Sequence, residues 1–488
     1  MSHFTLEQLS KQGIAGKWRE GNGSNEMSNI NPFNQEIIAT MTSASKDDLD
    51  QAFESAHNVQ KEWEAVNPYE RRDLLLEAAK VVEEHHDEIT ELIIEELGGT
   101  KLKAGFEIGL VTNIIKEAST YPLRITGEIL PSPVDGKENR VYQEPVGVVG
   151  VISPFNFPFY LSMKSVATAI GAGNGVVIKP HEDTPVTGGT LLVKIFELAG
   201  LPKGLVNSVV TEISEIGDRF VEHPLNKVVS FTGSTVVGKK IGEVAGRNLK
   251  KASLELGGNS ALIVLEDADI DYAVSAAVFS RFTHQGQICM SANRVLVHED
   301  IKDEFLNKYK AKVESLKAGD PREEDTIIGP LINKRQVETL EQTIEESIDE
   351  GAFPLIRGEV QGNVVTPTIL TEVTPDMAAA KKEMFGPAVA VTTFKSDEEV
   401  IEIVNASDFG LSGAVHTSNI ERGAELGKRI ETGMIHVNDG TINDEPIVAF
   451  GGEKMSGVGR LNGNESLESF TTKKWISIQH KKRQFPYS

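Results

Sequence analysis

Short β-branched segments alternate with segments of helical periodicity from residue 146 onward, and this alternation constrains the fold most strongly. Apolar runs of this kind are typical of strands buried on both faces, as in a parallel sheet covered by helices. The pattern therefore predicts an α/β fold, in which ligands bind beyond the carboxyl ends of the strands. The predicted strands are 146–152, 176–178, 205–210, 227–231 and 261–265, with helices at 159–170, 187–199 and 234–249.

The rest of the chain divides into three kinds of segment. Residues before about 122 read as mostly helical, because their apolar residues recur at helical spacing. A further α/β region spans 258–455. The segments 123–145 and 471–488 fit neither block, although 471–479 alternates as a strand does.

Length and charge exclude some classes of protein. A chain of 488 residues exceeds one ordinary core and predicts two or three domains. The net charge of −23 argues against a nucleic-acid or anionic-membrane partner, since either requires a basic face. A single cysteine excludes an intrachain disulfide and any multi-cysteine metal site.

No segment reads as a targeting or metal-binding element. The first ten residues lack a basic region followed by an apolar run, and no stretch approaches the roughly 18 apolar residues of a membrane span. We therefore expect a cytoplasmic protein. The run of Glu, His and Asp at 83–88 matches no ligand spacing and is interpreted as a solvated helix face, so no metal is predicted.

The lone cysteine, Cys289, lies in His-Gln-Gly-Gln-Ile-Cys-Met-Ser at 284–291. A lone cysteine is more often a small buried hydrophobic residue than a nucleophile. The polar, flexible residues before it favour a loop that presents its side chain. Glu255 and Asn156 supply a base and an amide donor that a thiol reaction needs, although Glu255 could instead pair with a nearby lysine and Asn156 could order a turn.

Seven motifs along the chain occur in the order of one family. They are Pro-Phe-Asn-Phe-Pro at 154–158, Lys-Pro-His-Glu at 179–182, Phe-Thr-Gly-Ser-Thr at 231–235, Leu-Glu-Leu-Gly-Gly at 254–258, Gly-Gln-Ile-Cys at 286–289, Glu-Met-Phe-Gly-Pro at 383–387 and Phe-Gly-Gly-Glu-Lys-Met-Ser-Gly at 450–457. With these motifs the chain resembles the NAD(P)-dependent aldehyde dehydrogenase superfamily over nearly its whole length.

The resemblance implies an aldehyde-dehydrogenase-like fold in three parts. These parts are a Rossmann-like NAD-binding domain at 1–122 and 146–257, an α/β catalytic domain at 258–455, and oligomerisation or bridging segments at 123–145 and 456–488. In the family such segments form an arm that pairs with another subunit, so the resemblance also implies a homodimer or homotetramer.

The resemblance implies a thiol mechanism for aldehyde oxidation. Cys289 attacks the aldehyde, Asn156 and the backbone N–H of Cys289 stabilise the resulting oxyanion, and hydride leaves for nicotinamide. Glu255 then serves as general base for hydrolysis of the thioester. Because CoA-acylating relatives tend to lack this glutamate, its presence favours a carboxylic acid product.

The common dinucleotide signature G-x-G-x-x-G is absent, so the cofactor site rests on the resemblance. It implies contacts to the adenine ribose, the pyrophosphate and the nicotinamide riboside from three pairs of residues: Lys179 with Glu182, Gly233 with Ser234, and Glu383 with Phe385. A carboxylate at Glu182 repels a 2′-phosphate, so NAD is preferred, with NADP use still open.

Two stretches resemble the branch of the family that acts on aromatic aldehydes of benzaldehyde or vanillin type. They are the region of Phe155 and the segment 439–446, although Ala449 departs from the branch and Lys164 stands one register early. Apolar side chains there are interpreted either as a tunnel that stacks on an aromatic ring or as ordinary core. They are Phe157, Tyr160, Ile288, Met290 and Phe450.

Two other interpretations remain from the sequence alone. One is a dehydrogenase of aliphatic aldehydes or semialdehydes, for which Arg281 is the candidate partner of a distal carboxylate. The other is a structural or binding protein that has kept this fold and lost catalysis. The second predicts damage at Cys289, Glu255 or Asn156, and none is present.

Overall fold

Strands from distant parts of the chain assemble into three larger sheets in the computed structural model, which describes residues 4–487. In chain order the strands are β1 (Gln12–Ile14), β2 (Lys17–Arg19), β3 (Glu26–Ile30), β4 (Ile37–Thr42), β5 (Glu128–Leu130), β6 (Lys137–Pro145), β7 (Val148–Ile152), β8 (Gly175–Lys179), β9 (Val206–Ser208), β10 (Asn226–Thr232), β11 (Lys251–Glu255), β12 (Ser260–Val264), β13 (Ala292–His298), β14 (Phe353–Ile356), β15 (Val360–Gln361), β16 (Val364–Val365), β17 (Thr368–Thr371), β18 (Ala388–Phe394), β19 (Phe409–Gly410), β20 (Gly413–His416), β21 (His436–Val437), β22 (Glu453–Lys454), β23 (Gly457–Val458) and β24 (Thr471–Gln479).

Helices connect most of these strands and cover the sheets. They are α1 (Leu6–Leu9), α2 (Lys46–Ala65), α3 (Pro68–Glu84), α4 (His86–Leu97), α5 (Lys101–Ala118), α6 (Pro158–Gly171), α7 (Leu191–Leu198), α8 (Ile213–Ile216), α9 (Arg219–Glu222), α10 (Thr235–Arg247), α11 (Ile270–Phe282), α12 (Lys302–Glu314), α13 (Lys334–Asp349), α14 (Ala378–Lys381), α15 (Asp397–Asn405), α16 (Ile420–Arg429) and α17 (Gly463–Ser469). The segment expected to be helical at 187–199 begins with a π-helical turn, Val186–Thr190, before α7.

The first sheet has the strand order β2-β1-β9-β8-β7-β10-β11-β23. Its five central strands, from β9 to β11, pair in parallel, and only the edge pairings of β1, β2 and β23 are antiparallel. Strands β7 and β8 are almost wholly buried, as expected for strands covered on both faces. The predicted parallel α/β sheet is confirmed.

The second sheet has the order β14-β17-β18-β13-β12-β20-β21 and is also parallel apart from its edge strand β14. All of its strands come from residues 353–437 and 260–298. It adjoins the first sheet in sequence at Gly257 and Gly258, which join β11 to β12. This junction sets the mouth of the candidate site between two sheets.

The third sheet is a small antiparallel one with the order β24-β6-β5. Strand β24 pairs with β6 over its full length, from Thr471 opposite Pro145 to Gln479 opposite Lys137. Large apolar side chains on it face outward, with Trp475 63% and Ile129 75% exposed. The three-part division into domains stays a prediction, but the strands of this sheet all come from the two segments that fit neither α/β block.

The expectation of a mostly helical first part is wrong for the residues before 46. This region forms β1 to β4, of which β1 joins the edge of the first sheet beside β9. These strands are short, and β3 buries only alternate residues. Their apolar residues are therefore too few for the sequence pattern to identify them as strands. The strands form two local pairs, β1 with β2 and β3 with β4, and only β1 pairs with a distant strand, β9.

Among residues 4–487, no helix is both long and apolar enough to cross a membrane. Nor do three or more His, Cys, Asp or Glu side chains in this part of the chain meet in an arrangement that could hold a metal ion.

Candidate active site

The loop before Cys289 has an unusual backbone. Helix α11 ends at Phe282, and His284, Gln285 and Gly286 then take positive φ angles of 49°, 46° and 76°. At Gly286 a Cβ would also overlap the carbonyl oxygen of Gly386. Both the positive φ angle and this close contact therefore require glycine at this position. A strained turn at this position reverses the chain and presents Cys289, which is partly exposed, to a cavity.

This cavity has a volume of about 630 Å³ and lies at the carboxyl edge of the first sheet. Its wall contains the three predicted catalytic side chains and all six predicted cofactor residues: Asn156, Lys179, Glu182, Gly233, Ser234, Glu255, Cys289, Glu383 and Phe385. A volume of this size is typical of a small-molecule or cofactor site.

The parallel order of the central strands explains why these residues meet. Lys179 is the last residue of β8, and Glu255 is the last residue of β11. Asn156 and Ser234 follow the ends of β7 and β10. Because parallel strands end at one edge, four segments that are far apart in sequence converge there.

Burial, together with the carboxylates of Glu383 and Glu255, raises the pKa of the Cys289 thiol to about 12, and Lys164 opposes this rise. The shift favours the protonated thiol at neutral pH. A nearby positive charge is therefore what this thiol needs in order to ionise.

Glu255 is a buried carboxyl whose two oxygens have no hydrogen-bond partner among the described residues. Burial raises its pKa to about 8, against the opposing charges of Lys164 and Arg460. The alternative pairing with a neighbouring lysine does not occur. Lys250 donates to the carbonyl groups of Val221 and His223, and Lys251 donates to that of Thr471.

Asn156 links the end of β7 to the cysteine loop. Its Nδ2 donates a hydrogen bond of 2.9 Å to the carbonyl oxygen of Gln287, two residues before Cys289. One hydrogen of the same amide remains beyond this bond. Asn156 is therefore more than a turn former, because it ties the end of β7 to the loop that carries Cys289.

One end of the cavity carries a charged pair. Lys179 Nζ lies 2.7 Å from Glu182 Oε1 and 3.2 Å from the carbonyl oxygen of Pro180. Burial opposes ionisation of Glu182, but the charges of Lys179 and His181 hold its pKa below the ordinary value. Glu182 is thus anionic at neutral pH.

The start of α10 forms another part of the cavity wall. Ser234 caps this helix of 13 residues by accepting a hydrogen bond from the backbone N–H of Val237. A Cβ at Gly233 would collide with the ring of Phe231, so the backbone there is open only with glycine. The backbone N–H groups at the start of a helix, with no side chain at the adjacent glycine, can bind a diphosphate.

The opposite end of the cavity is built around Glu383. Its Oε1 accepts a 2.9 Å hydrogen bond from the backbone N–H of Gly258. Burial raises its pKa to about 7, although this hydrogen bond and Arg281 oppose the rise. The neighbouring Phe385 packs edge-on against Phe155, with ring centroids 5.6 Å apart.

The five side chains predicted to form a tunnel do not line this cavity. Phe157, Tyr160, Ile288, Met290 and Phe450 are all buried in one hydrophobic cluster, against which Cys289 packs. They form an apolar, aromatic-rich neighbourhood rather than an open surface. Phe155 and Leu161, in contrast, do line the cavity.

Arg281 does not point toward a substrate carboxylate. Its guanidinium is fully buried and donates to Asn293 Oδ1 and to the carbonyl oxygens of Met384 and Gly386. Asn293 in turn donates to the carbonyl oxygen of Gly258 at 3.3 Å. This buried brace removes the sequence feature that supported a semialdehyde substrate.

Two parts of the site were missed from the sequence. Arg335 and Thr339, at the start of α13, line the cavity, but that helix reads as an ordinary amphipathic one. Lys164 and Asp444 form a buried ion pair near Glu255. The displaced register of Lys164 was the only signal for it.

The geometry agrees with similarity to known proteins. Residues 18–476 match the model of the aldehyde dehydrogenase family. The chain is 64% identical over 484 residues to "Benzaldehyde dehydrogenase YfmT" of Bacillus subtilis, covering 99% of this chain and 100% of that one. It is 48% identical to a vanillin dehydrogenase of Corynebacterium glutamicum, covering 98% and 99%.

A solved structure gives the same result. An NAD-dependent benzaldehyde dehydrogenase from Corynebacterium glutamicum is 44% identical and superposes with a TM-score of 0.91, covering 99% of this chain and 100% of that one. Sequence and fold thus agree over the whole length, and this chain belongs to the aldehyde dehydrogenase family.

Proposed function

We propose that this protein oxidises aromatic aldehydes to carboxylic acids with NAD. The observation that carries the proposal is that one cavity is lined by a thiol, an unpaired carboxyl, an amide donor and the residues for a dinucleotide. Similarity to proteins named benzaldehyde and vanillin dehydrogenases supports the aromatic substrate.

The proposed reaction starts at Cys289. Its sulfur forms a bond to the aldehyde carbon, and the carbonyl electron pair moves to oxygen, where the free hydrogen of the Asn156 amide and the backbone N–H of Cys289 stabilise the charge. When bound, NAD supplies the hydride acceptor and a positive charge that favours the thiolate. Re-formation of the carbonyl breaks the carbon–hydrogen bond with loss of hydride, and a thioester remains on Cys289.

Hydrolysis of the thioester is the proposed task of Glu255. The ionised carboxylate takes a proton from water as the water oxygen attacks the acyl carbon, and the carbon–sulfur bond then breaks to return the thiolate. One aldehyde, one water and one NAD give one carboxylate, one NADH and two protons. Both oxygens of Glu255 lack a protein partner and are therefore available to water.

Preference for NAD over NADP is proposed to depend on the negative charge of Glu182. We expect Glu182→Gln to raise kcat/KM for NADP about tenfold, because a carboxylate no longer repels the 2′-phosphate. The value for NAD should fall several-fold through loss of a charged hydrogen bond. Initial rates with each cofactor test this, and an unchanged NADP to NAD ratio contradicts it.

The residues beside Cys289 support an aromatic substrate. Phe155 and Leu161 give the cavity that Cys289 lines an apolar wall with an aromatic ring, and offset or edge-on contacts with such a ring favour a flat, unsaturated substrate. Arg281 is engaged by backbone carbonyls and by Asn293, so nothing observed favours a semialdehyde.

A substrate panel tests the proposed function. NADH formation should give a higher kcat/KM for benzaldehyde and vanillin than for a short aliphatic aldehyde or succinate semialdehyde. Burial of an aromatic ring in an apolar site increases binding affinity by about several-fold to tens-fold relative to burial of a short aliphatic chain. If an aliphatic aldehyde is the best substrate, the thiol mechanism stands and the aromatic assignment fails.

We also propose that the protein is a homodimer or homotetramer in the cytoplasm. Support for association comes from the third sheet, whose outward apolar side chains include Trp475, Ile476 and Ile129. An exposed apolar sheet of this kind is typical of a subunit contact.

A further inference from the structure

A buried ion pair near Glu255 has no part in the reaction described above. Lys164 Nζ lies 2.8 Å from Asp444 Oδ2, and the two side chains are 1% and 5% exposed. Lys164 belongs to α6, whereas Asp444 lies in the loop between β21 and β22. A buried pair costs desolvation that its attraction does not always offset, so stability alone is a weak reason for it.

The pair is fixed in place from both sides. Lys164 Nζ lies 3.4 Å from the centroid of the Phe450 ring, in a cation–π contact. Asp444 Oδ1 accepts a 2.7 Å hydrogen bond from Asn462 Nδ2. Neither charge is free to move away, so each acts on its surroundings from a constant position.

The same short segment connects the pair to Glu255. Phe450, which lies under the Lys164 ammonium, is followed by Gly451, and a Cβ on Gly451 would lie 3.0 Å from Glu255 Oε1. The ion pair and the proposed base therefore lie around one turn of chain. Among residues 4–487 neither oxygen of Glu255 has a hydrogen-bond partner, so nearby charges act on it with no hydrogen bond opposing them.

Four groups from different elements face Glu255. Lys164 on α6 and Arg460 after β23 are positive, Asp444 is negative, and the Cys289 thiol is neutral when protonated. Burial makes the largest contribution to the raised pKa of Glu255, Lys164 and Arg460 lower that pKa, and Asp444 raises it. The two members of the pair thus act on Glu255 in opposite directions.

We propose that Lys164 and Asp444 are positioning residues whose fixed, opposite charges set the fraction of Glu255 that is ionised for thioester hydrolysis. The inference rests on the proposed function, since it needs a thioester on Cys289. Lys164 favours the ionised base, and Asp444 limits this effect and holds Lys164 against Phe450. A purely structural pair would tie α6 to the loop without any effect on the titration of Glu255.

The test is the pH dependence of acyl-enzyme hydrolysis in the full-length protein with NAD and benzaldehyde. Decay of the acyl-enzyme is followed by rapid quenching and intact-protein mass spectrometry. Lys164→Met should move the rising limb of the profile to higher pH by roughly half to one unit, and Asp444→Asn should move it to lower pH by a similar amount.

Two further variants control for charge and folding. Lys164→Arg keeps the charge and should keep the wild-type midpoint. The double variant Lys164→Met with Asp444→Asn leaves no unpaired buried charge and should return the midpoint toward that of the wild type. Thermal unfolding shows which variants are folded at the assay temperature.

Outcomes separate this inference from the proposed function. Shifts in the same direction for both single variants, or lower rates with no shift, overturn the inference. If neither single variant folds and the double variant does, a midpoint of its pH profile more than one pH unit from that of the wild type also overturns the inference. If the wild type forms no acyl-enzyme from benzaldehyde, it is the proposed function that fails.

Discussion

The Cys289→Ala variant is expected to lose at least about 10⁴-fold in kcat/KM for every aldehyde, because no other side chain can form the covalent adduct. Cys289 is the sole cysteine of the chain, so no second thiol can substitute. An aldehyde carbon without an added nucleophile retains its carbonyl and does not release hydride. NADH formation followed by absorbance measures the loss.

Folding and cofactor binding are the controls for this variant. Alanine removes only a sulfur from a partly exposed position, so thermal unfolding and NADH binding should stay close to those of the wild type. Residual turnover at more than a hundredth of the wild-type rate would show that the thiol is not the nucleophile.

The Glu255→Gln variant is expected to form NADH once and then stop. Loss of a positioned general base slows hydrolysis by about 10²- to 10⁴-fold, while removal of a carboxylate near Cys289 lowers the thiol pKa and leaves acylation possible. Stopped-flow absorbance should therefore show a burst of one NADH per active site. Mass spectrometry should find the acyl group on the protein.

The pH profile gives an independent check on Glu255. A general base acts in its ionised form, so hydrolysis in the wild type should rise with pH through the pKa of about 8 and then level off. Glutamine cannot ionise, so this limb should vanish in the variant. A burst that is absent in Glu255→Gln, with steady turnover intact, would assign the base elsewhere.

Much of the fold was open to prediction because the central strands are continuous β-branched runs. The predicted strands at 146–152 and 261–265 agree within two residues with β7 and β12, and β24 has the predicted bounds 471–479. The convergence of the site residues at the carboxyl edge of the first sheet follows from the parallel arrangement of its central strands. The positions in the cavity wall of Cys289, Glu255 and Asn156 were expected from the motifs, and their catalytic roles stay predictions until the variants are measured.

What escaped prediction depends on contacts between distant residues. Strand β1 pairs with its neighbour β2, but its place at the edge of the first sheet depends on β9, almost 200 positions away, as Gly13 opposite Ser208 shows. The direction of Arg281 depends on carbonyl groups at 384 and 386, and the partner of Lys164 lies at 444. Sequence periodicity records which face of an element is buried, but not which distant group that face meets.

The hydrogen bonds of Arg281 connect the cysteine loop to the part of the cavity that contains Glu383. A single guanidinium joins the helix that leads into the cysteine loop to the backbone on both sides of Phe385, while Asn293 extends the same network to Gly258 and so to Glu383. The cysteine loop and Glu383 are thus held by one hydrogen-bonded network, so a substitution at Arg281 or Asn293 is expected to displace both.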